Sequence, residues 1–501
     1  MGSGLAPARD ARPIREGERI HVVGAGGAGA SAAALLAHQA GAVVSGCDAG
    51  GPSPYTPPLE TAGIRLDWEH SPEHVTRRPA PERLAVTKAL TAVDPNNAEL
   101  AAARAAAVPL EPWQQVIADA AVGRTLVGVA GTHGKSTTSG WLVHVLVEAG
   151  LDPCAFVGAL LPSSLTGGLP STARWGRGMP FVVEADEYAG NFDAYRPDVA
   201  VLISAEWDHP DVFADRAAVV DCLAAWLQRA ALTVARPKFV ANVGDPGVAE
   251  VAGRLGNWPG EVLPIALADA SIGRTVREAD SQAYLVGTIL DADAAGTTLR
   301  LGGSALAAPL TVHTKLAGRH NAVNALAVAG AALALGVSAA AVGATLGSFG
   351  GVARRLERKG EGRGVVVYDD YGHHPTAIRE TLAALRQLEP GRRIWAVYEP
   401  LTYHRTAAML DEFAAVLATA DAVAIADIWA SRDPDTTITS ASALAEATAR
   451  LRPGLTAAAP GSVEETAAWL AGEVRSGDAV LVMGGGKSYR IAELLVEALG
   501  G

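Results

Sequence analysis

Cysteine is scarce in this chain of 501 residues: Cys47, Cys154 and Cys222 are widely separated, and none belongs to a C-x-x-C pair. Such spacing suggests neither a disulfide framework nor a zinc site, and it fits a reducing compartment. The N-terminal twenty residues also lack the apolar core of a secretory signal peptide. We therefore expect a cytoplasmic protein.

Long apolar runs and basic clusters are missing as well. The one extended apolar stretch, residues 325–346, is mostly alanine and glycine and contains Ser338 and Thr345, so it favours a buried helix pair over a membrane span. The formal net charge is -12, and no cluster of Lys and Arg with interleaved aromatics occurs. Because proteins hold nucleic-acid phosphates chiefly through basic groups, we expect neither a nucleic-acid nor a membrane partner.

Alternating strand and helix signals, in contrast, fill nearly the whole chain. Short Val- and Ile-rich runs precede Ala- and Leu-rich segments, a pattern that predicts parallel sheets covered on both faces and hence an α/β fold. The length is too great for a single hydrophobic core. Strand-then-glycine signals restart at three places and predict domains at 1–119, 120–352 and 353–501, the second with a more β-rich insertion near 260–314.

The most informative motif is GTHGKS, which follows the apolar run TLVGVA and precedes a helix signal. The backbone N–H groups of such a loop cradle phosphates, its lysine reaches the terminal phosphates, and its serine hydroxyl coordinates Mg²⁺. Val129 stands where the strict motif has glycine, so the loop is a variant. The sequence predicts that a nucleoside triphosphate binds at Gly131, Thr132, His133, Gly134, Lys135, Ser136 and Thr137.

Acidic residues and a histidine follow two apolar strands downstream of this loop. They are Glu184, Asp186 and Glu187 in FVVEADEY, and Glu206, Asp208 and His209 after VAVLIS. The carboxyl ends of parallel strands share one edge of a sheet, so Glu184 would bind or orient Mg²⁺ and His209 would contact metal or substrate. Alternatively, the acids only cap a strand on its solvent side.

Two more polar runs stand at predicted helix starts. In KLAGRHNAVN, the side chains of His320, Asn321 and Asn324 would bond an adenine edge or, alternatively, cap the helix. The run DDYGHHPT places Asp370, Tyr371, His373 and His374 between a strand and a helix. The adjacent histidines also invite a zinc interpretation, but no further Cys or His has suitable spacing for it.

A second glycine-rich loop lies near the N-terminus. Gly24, Gly26 and Gly29 satisfy G-x-G-x-x-G after a strand, and Asp48 closes the next strand, as in dinucleotide-binding folds. Taken alone, this loop indicates a nicotinamide-dependent oxidoreductase. That alternative leaves the phosphate loop and the runs EADE and DDYGHHP unexplained.

In order along the chain, GAGGAG, GTHGKS, EADE, DH, HNAVN, RRLE, DDYGHHPT and a closing GGG resemble the Mur ligase family of ATP-dependent amide-forming enzymes. The resemblance covers essentially the whole chain. It implies a Rossmann-like UDP-binding domain, a central P-loop ATPase-like domain and a C-terminal Rossmann-like domain. It also implies that the first loop binds a UDP-sugar rather than NAD, through Gly24, Gly26, Gly27, Gly29 and Asp48.

The resemblance further implies a mechanism. The carboxylate of UDP-N-acetylmuramate attacks the ATP γ-phosphate, and an amine then displaces phosphate from the acyl phosphate. Lys135, Glu184, His209 and Arg405 would be catalytic, with Ser136, Glu184 and His209 holding Mg²⁺ or Mn²⁺. The ATP site would be completed by His320, Asn321, Asn324, Arg355 and Asp370, and the amino acid and domain closure would depend on Tyr371, His373, His374, Tyr403 and Arg405.

The amine is the least determined substrate. Alanine-adding members usually carry F-Q-P-H-x-Y-S-R-T, whereas this chain has YEPLTYHRT and departs at Glu399, Leu401, Thr402 and His404. The run EWDHPDVF resembles the members that recycle a tripeptide instead. We expect a peptidoglycan-precursor ligase that adds L-alanine, with tripeptide or another amine as the nearest alternative and an inactive nucleotide-binding regulator as a third. The expected partners are small molecules, and the expected state is a monomer or homodimer.

Overall fold

The computed structural model describes residues 4–268, 283–430, 433 and 435–501. These residues form three β-sheets covered by helices, so the predicted α/β class is confirmed. The sheets fall within the three residue ranges predicted for the domains, although the helix that ends the first of them reaches Ala120. The domain boundaries themselves stay a prediction.

The first sheet has five parallel strands in the order β3-β2-β1-β4-β5. Its strands are β1 (Arg19–Val23), β2 (Val43–Cys47), β3 (Arg65–Asp67), β4 (Arg83–Val86) and β5 (Leu110–Pro112). Its helices are α1 (Ala28–Gln39), α2 (Pro57–Thr61), α3 (Glu73–Thr76), α4 (Lys88–Val93), α5 (Ala98–Ala105) and α6 (Trp113–Ala120). The strand order reverses at β1, and this is where open α/β sheets form a binding crevice.

The second sheet has ten strands in the order β15-β14-β13-β12-β11-β10-β6-β9-β7-β8. They are β6 (Thr125–Ala130), β7 (Cys154–Leu161), β8 (Ser171–Arg174), β9 (Pro180–Ala185), β10 (Val199–Leu202), β11 (Lys238–Asn242), β12 (Glu261–Leu267), β13 (Leu285–Asp293), β14 (Gly296–Gly302) and β15 (Leu310–Thr314). The helices are α7 (Lys135–Glu148), α8 (Ser163–Thr166), α9 (Arg216–Ala230), α10 (Pro246–Arg254), α11 (Arg319–Ala334) and α12 (Ala339–Thr345).

Strand β6 lies between β9 and β10 and is parallel to both. Its alternate side chains enter two different apolar cores: Leu126 and Ala130 pack in one, Val127 and Val129 in the other. Burial of both faces explains why this strand reads as a continuous apolar run. It also brings the loops after β6, β9 and β10 to one edge of the sheet.

The β-rich insertion lies at the far side of this sheet. Strands β13, β14 and β15 pair antiparallel and extend it. Residues 269–282 of the insertion lie outside the described residues.

The third sheet has six strands in the order β16-β17-β21-β18-β19-β20, of which only β16 runs antiparallel. They are β16 (Glu357–Gly362), β17 (Val365–Asp370), β18 (Arg393–Tyr398), β19 (Ala422–Ala426), β20 (Thr456–Gly461) and β21 (Asp478–Met483). The helices are α13 (Pro375–Leu388), α14 (Tyr403–Ala408), α15 (Leu410–Leu417), α16 (Ala441–Leu451), α17 (Val463–Glu473) and α18 (Tyr489–Ala498).

The apolar stretch at 325–346 spans two helices, α11 and α12, of which α11 is almost fully buried. Within the described ranges, no helix combines the length and apolar character needed to cross a membrane. Cys47, Cys154 and Cys222 are all unpaired.

Candidate functional site

One cavity of about 970 Å³ lies where the three sheets meet. The first domain contributes Gly29 and Trp113 to its wall, the central domain contributes the loop before α7, and the third domain contributes the loop after β17. This volume is at the upper end of the range for small-molecule sites. One cleft is therefore lined by Gly29 in the first turn of α1, by the second glycine-rich loop, and by residues of the run DDYGHHPT.

The loop between β6 and α7 requires its glycines. Gly131 and Gly134 have φ angles of +134° and +81°, where side chains are strained. A Cβ at Gly131 would lie 2.9 Å from the backbone of Ser204, and one at Gly134 would lie 2.6 Å from Asn324 Oδ1. The loop thus packs closely against the end of β10, and its helix begins at Lys135 with its N-terminus facing the cavity.

Lys135 lies across this loop. Its Nζ donates to Gly131 O at 2.7 Å and to Glu187 Oε2 at 3.2 Å, and Asp186 Oδ1 is 3.5 Å away. Burial lowers the pKa of Lys135, but the carboxylates of Glu187, Asp186 and Glu184 outweigh burial and raise it. The side chain is therefore a fixed ammonium ion at the position where the motif predicts the terminal phosphates.

Ser136 and Glu184 are in contact. Ser136 Oγ donates to Glu184 Oε1 at 3.0 Å, and Gly158 N donates to Glu184 Oε2 at 2.6 Å. Arg355 Nη2 of the third domain donates to the same serine hydroxyl at 2.8 Å. A hydroxyl and a carboxylate side by side are the hard oxygen ligands that Mg²⁺ prefers.

His209 approaches the same centre from the loop after β10. Ligand atoms of His209, Asp186 and Glu187 lie within 4.8 Å of one another. The backbone of His209 has φ of +57°, a conformation that non-glycine residues seldom adopt and that is often found at functional sites. The geometry gives this histidine a fixed position beside the acidic groups.

Arg405 and Asp208 hold His209 in place. Arg405 Nη2 lies 3.0 Å from His209 Nδ1 and 2.7 Å from Asp208 Oδ1, and Asp208 Oδ1 accepts the His209 backbone N–H at 2.6 Å. Burial raises the pKa of Asp208, but His209 and Arg405 keep it well below its usual range. Because Arg405 belongs to the third domain, this contact joins the two domains.

The residues at the start of α11 divide into two kinds. His320 is half-buried at the cavity wall, its Nδ1 has no hydrogen-bond partner among the described residues, and desolvation lowers its pKa to about 4. Asn321 Nδ2 instead donates to Ala317 O at 2.8 Å, and Asn324 Nδ2 donates to Asn321 Oδ1 at 3.1 Å. His320 thus keeps a free polar atom for a ligand, whereas Asn321 serves the helix start locally.

Asp370 organises the loop after β17. Its Oδ2 accepts the N–H of Leu356 and its Oδ1 accepts the N–H of Gly372, both at 2.7 Å. The adjacent ring of Tyr371 lies under the guanidinium of Arg355 at 4.9 Å. Asp370 lines the cavity, but its carboxylate already has two backbone partners, so its contact with ATP stays a prediction.

The adjacent histidines of this loop have partners within the protein. His373 Nδ1 lies 3.0 Å from Tyr371 O, and burial together with Arg405 lowers the pKa of His373 well below its usual range. His374 Nδ1 accepts the N–H of Thr376 at 3.2 Å, and His374 Nε2 lies 3.2 Å from Trp207 O. Both nitrogens of His374 thus have partners within the protein, and a ligand atom of this histidine also lies within 4.8 Å of ligand atoms of His133 and Glu206.

Two further contacts join the central and third domains. Thr376 Oγ1 donates to Glu206 Oε2 at 2.7 Å, and that carboxylate also faces His133 of the phosphate loop at 3.4 Å. Gln387 of α13 accepts the N–H of Gly318 at 2.9 Å and donates to Gly296 O at 2.7 Å. Nothing in the local sequence distinguishes a polar helix residue that meets solvent from one that meets another domain.

Three of the four departures in YEPLTYHRT lie at the third-domain end of the cavity. Leu401, Thr402 and His404 line it together with Trp429 and Asp433, and His404 Nδ1 lies 3.1 Å from Asp433 Oδ1. Glu399 is instead buried beneath the start of α18, and burial raises its pKa to about 7. Tyr403, the remaining predicted closure residue, is not part of the lining.

The first-domain loop depends on Asp48. Its Oδ2 accepts the N–H of Gly26 at 2.9 Å and its Oδ1 accepts the N–H of Gly50 at 2.8 Å. A Cβ on Gly29 would lie 2.2 Å from the ring of Trp113, so glycine permits the close approach of α1 and α6. Ser53, which the fingerprint does not include, donates to Gly26 O at 2.7 Å.

Three family models match consecutive parts of the chain. "Mur ligase family, catalytic domain" matches residues 19–125, "Mur ligase middle domain" matches 129–332, and "Mur ligase, glutamate ligase domain" matches 354–486. Together they span most of the chain, in the order expected from the motifs.

The proteins to which the chain is similar include further ligases. A UDP-N-acetylmuramate–L-alanine ligase of Frankia casuarinae is 38% identical over 448 residues, which are 83% of this chain and 84% of that protein. The solved structure of the UDP-N-acetylmuramate–alanine ligase MurC of Thermotoga maritima has a TM-score of 0.74 at 24% identity, covering 96% of this chain and 98% of the other. That of a murein peptide ligase from Psychrobacter arcticus has 0.70 at 24%, covering 97% and 99%. At these identities the two structures show a shared fold.

Proposed function

The chain belongs to the Mur ligase family, and we propose that it joins UDP-N-acetylmuramate to L-alanine, with conversion of ATP to ADP, in peptidoglycan precursor synthesis. Mur ligases are ATP-dependent. The observation that carries the proposal is the single cavity that joins the phosphate loop, the wall of the first domain and the third-domain loop. It gives one place where ATP, a UDP-sugar and an amine can meet.

The first step transfers the γ-phosphate to the sugar carboxylate. Negative charge spreads over the phosphoryl oxygens during this transfer, so fixed cations and N–H dipoles stabilise it. Lys135 supplies the charge, and the N-terminus of α7 supplies the dipoles. Lys135 Nζ donates to Gly131 O and Glu187, and it would exchange these acceptors for phosphate oxygens of ATP.

The residues around Ser136 fit a magnesium ion. Ser136 Oγ and Glu184 Oε1 are 3.0 Å apart, and Asp186, Glu187 and His209 form a second group within 4.8 Å. A bound Mg²⁺ would neutralise negative charge on the phosphate oxygens and on the attacking carboxylate. Gly158 N and Arg355 hold Glu184 and Ser136 in place, and an ion bound to both side chains would replace the hydrogen bond between them.

The second step is attack of the amine on the acyl phosphate. Arg405 holds His209 and Asp208 from the third domain, while Thr376 bonds Glu206. The reaction centre is therefore complete only when the third domain is docked. Docking would also exclude water, which protects an acyl phosphate from hydrolysis.

The amine is assigned to L-alanine because the relative identified above bears that name at 38% identity. Leu401 and Trp429 provide an apolar surface at the third-domain end of the cavity, next to the His404–Asp433 pair. An apolar surface beside polar groups suits a small amino acid with a methyl side chain. We expect the reaction to occur in the cytoplasm and to involve small-molecule partners only.

A coupled phosphate-release assay tests the proposal. UDP-N-acetylmuramate and Mg·ATP are supplied with each of the twenty amino acids or with the tripeptide. We expect release only when sugar and amine are both present, with L-alanine giving the highest kcat/KM. A higher kcat/KM for the tripeptide would move the assignment to a recycling ligase. Release that is unchanged when the amine is omitted would contradict ligase activity.

A further inference from the structure

A second group of chemically reactive side chains lies inside the first domain, away from the cavity wall. His21 belongs to β1, Cys47 ends β2, His74 belongs to α3 and Glu99 belongs to α5. Their ligand atoms lie within 4.8 Å of one another. The four residues are 2%, 0%, 8% and 0% exposed. Four elements of one domain thus direct two imidazoles, a thiol and a carboxylate to one buried point.

The contacts within this cluster have the spacing of ligands around a metal ion. Glu99 Oε1 lies 2.9 Å from His21 Nε2 and 3.1 Å from His74 Nδ1, and Glu99 Oε2 lies 3.3 Å from Cys47 Sγ. Bonds of about 2.0 to 2.3 Å to a tetrahedral ion leave neighbouring ligand atoms roughly 3.2 to 3.8 Å apart. Shifts of a few tenths of an ångström would therefore accommodate an ion.

The outer ring nitrogens of both histidines have polar neighbours. His21 Nδ1 lies 2.8 Å from Ser45 Oγ, and His74 Nε2 lies 3.4 Å from Asp67 Oδ2. Histidines that bind metals characteristically donate their outer N–H to an oxygen in this way, which leaves the inner nitrogen as a lone-pair donor. The surroundings of both rings thus favour inward-facing lone pairs.

One buried atom lacks a partner. Although His21 Nε2 is 2.9 Å from a Glu99 oxygen, the direction of approach does not make a hydrogen bond, and Nε2 has no other partner in the described part of the chain. Buried polar atoms are nearly always satisfied by protein, water or an ion. Two lone pairs facing each other at this distance repel unless a cation lies nearby.

The burial of the acidic groups is consistent with a bound cation. Glu99 is 0% exposed, and the ion-pair partners of its carboxylate among the described residues are the imidazoles of His21, His70 and His74. The Cys47 thiol beside it is equally buried. A divalent ion would convert this thiol to a thiolate, as metals do with cysteine ligands. Its two positive charges would then balance one thiolate and one carboxylate.

We propose that His21, Cys47, His74 and Glu99 bind one structural zinc ion. Two imidazoles, a thiolate and a carboxylate are a donor set that suits zinc and excludes magnesium, which prefers oxygen ligands. His70 Nδ1, 3.3 Å from Cys47 Sγ, is placed to donate to the sulfur. With four protein ligands the site is closed, so the ion stabilises the fold and performs no chemistry.

The site would support the glycine-rich loop of the first domain. Cys47 O accepts the N–H groups of Gly24 at 2.8 Å and Ala25 at 3.0 Å. The next residue, Asp48, holds Gly26. An ion that fixes Cys47 therefore fixes the start of the loop through three hydrogen bonds, without touching a bound nucleotide.

Cobalt substitution of the full-length protein tests the proposal. The absorption spectrum of bound Co²⁺ shows whether a thiolate is among its ligands. A thiolate adds a charge-transfer band in the near ultraviolet that oxygen and nitrogen ligands do not produce. We expect one equivalent of Co²⁺ per chain to produce this band and one equivalent of Zn²⁺ to abolish it. Ions bound at Ser136 and Glu184 would add no thiolate band. The absence of any thiolate band in the chelator-treated, reduced protein would overturn the proposal.

Variants show which residues bind the ion, and they distinguish a metal site from a cluster held together by hydrogen bonds alone. Cys47→Ser should abolish the band, while the matched control Cys222→Ser, in the central domain, should keep it. Asp67→Asn should weaken Zn²⁺ binding about tenfold, as loss of an outer hydrogen bond to a ligand does. A band that persists in Cys47→Ser would contradict the assignment.

Thermal melting supplies a measurement that does not need the Cys47 variant to fold. Zn²⁺ should raise the melting temperature of the chelator-treated wild-type protein, and a melting temperature unchanged by Zn²⁺ would contradict a structural site. Neither the absorption nor the melting depends on ligase turnover, so these results are independent of the proposed function.

Discussion

The two glycine-rich loops of this protein share a backbone design but differ in their surroundings. Each follows an inner strand that has parallel neighbours on both sides, β1 or β6, and each leads into a helix. The first loop faces the carboxylate of Asp48, which accepts a hydrogen bond from the backbone N–H of Gly26 in the loop. The second carries the ammonium of Lys135 beside three carboxylates. The comparison teaches that one backbone design presents N–H groups in both loops, whereas the side chains around the loops differ. Under the proposed function, the first loop only holds phosphate and the second also transfers it.

The largest expected effect comes from removing the cation of the second loop. Lys135→Ala should lower kcat for phosphate release by about 10³-fold or more, because the charge that develops on the γ-phosphate loses its fixed partner. Binding of UDP-N-acetylmuramate, measured by calorimetry, should be unchanged because it depends on the other loop. Lys359→Ala, which removes a cation from the third-domain sheet, is the matched control. Undiminished activity of Lys135→Ala would mean that the phosphate site lies elsewhere.

The next effect sharpens the role of the carboxylates around the second loop. Glu184→Gln keeps the size of the side chain but removes the charge beside Ser136, so activity should fall about 100-fold and the Mg²⁺ concentration for half-maximal rate should rise. Steady-state rates over a Mg²⁺ titration measure both. Glu148→Gln, at the other end of α7, should match the wild type in both measurements. An unchanged Mg²⁺ requirement would remove Glu184 from the proposed ligands.

A third change breaks the first loop alone. In Asp48→Asn the amide can accept only one of the two N–H groups that the carboxylate holds, and its own N–H₂ faces the other. UDP-N-acetylmuramate should bind about tenfold more weakly. The KM for ATP should stay the same, as it should for both substrates in the control Asp10→Asn. A rise in the KM for ATP without a change in sugar binding would contradict the division of labour between the loops.

The smallest effect concerns acid sensitivity at the domain contact near the second loop. Burial lowers the pKa of His374 in the folded protein to about 4. As pH falls below about 6.5, His374 therefore binds a proton in the unfolded chain before it does so in the folded protein. Stability is therefore lost between about pH 6.5 and 4, by about 1 kcal/mol at pH 5.5.

Replacement of His374 by Asn removes this titration while keeping an acceptor for the N–H of Thr376. The melting temperature of the wild-type protein should fall roughly 1 to 4 °C more than that of His374→Asn between pH 7.5 and 5.5, the smaller value if all three domains unfold together. His320 titrates equally in both proteins and cancels. Parallel melting curves over this range would show that His374 is protonated without cost in the folded state.

The sequence was most informative where function depends on consecutive residues. The run GTHGKS predicted a strand, a tight loop and a helix start, and these elements form because glycine tolerates the positive φ at Gly131 and Gly134. Alternation of strands and helices predicted the α/β class. The rule that parallel strands end at one edge was enough to associate Glu184 and His209 with Lys135.

Sequence reasoning was less informative about the partners of individual polar side chains. The sequence predicts ATP contacts for Asp370 and Asn321, and both line the cavity, but Asp370 already accepts two backbone N–H groups and Asn321 donates to Ala317 O. A short polar side chain satisfies nearby backbone groups as readily as it does a ligand. Composition alone does not separate these two outcomes.

The sequence by itself determined the three α/β units and the two loops, because local backbone preferences and apolar periodicity are properties of short segments. The reaction family followed from the resemblance of its motifs to those of the Mur ligases. Only the tertiary structure decided which units share a cavity, that Arg355 reaches Ser136 across 219 residues, and that His21, Cys47, His74 and Glu99 meet in one core. Such meetings depend on how whole sheets and helices pack. Residues far apart in the chain leave no trace of that packing in their local sequence.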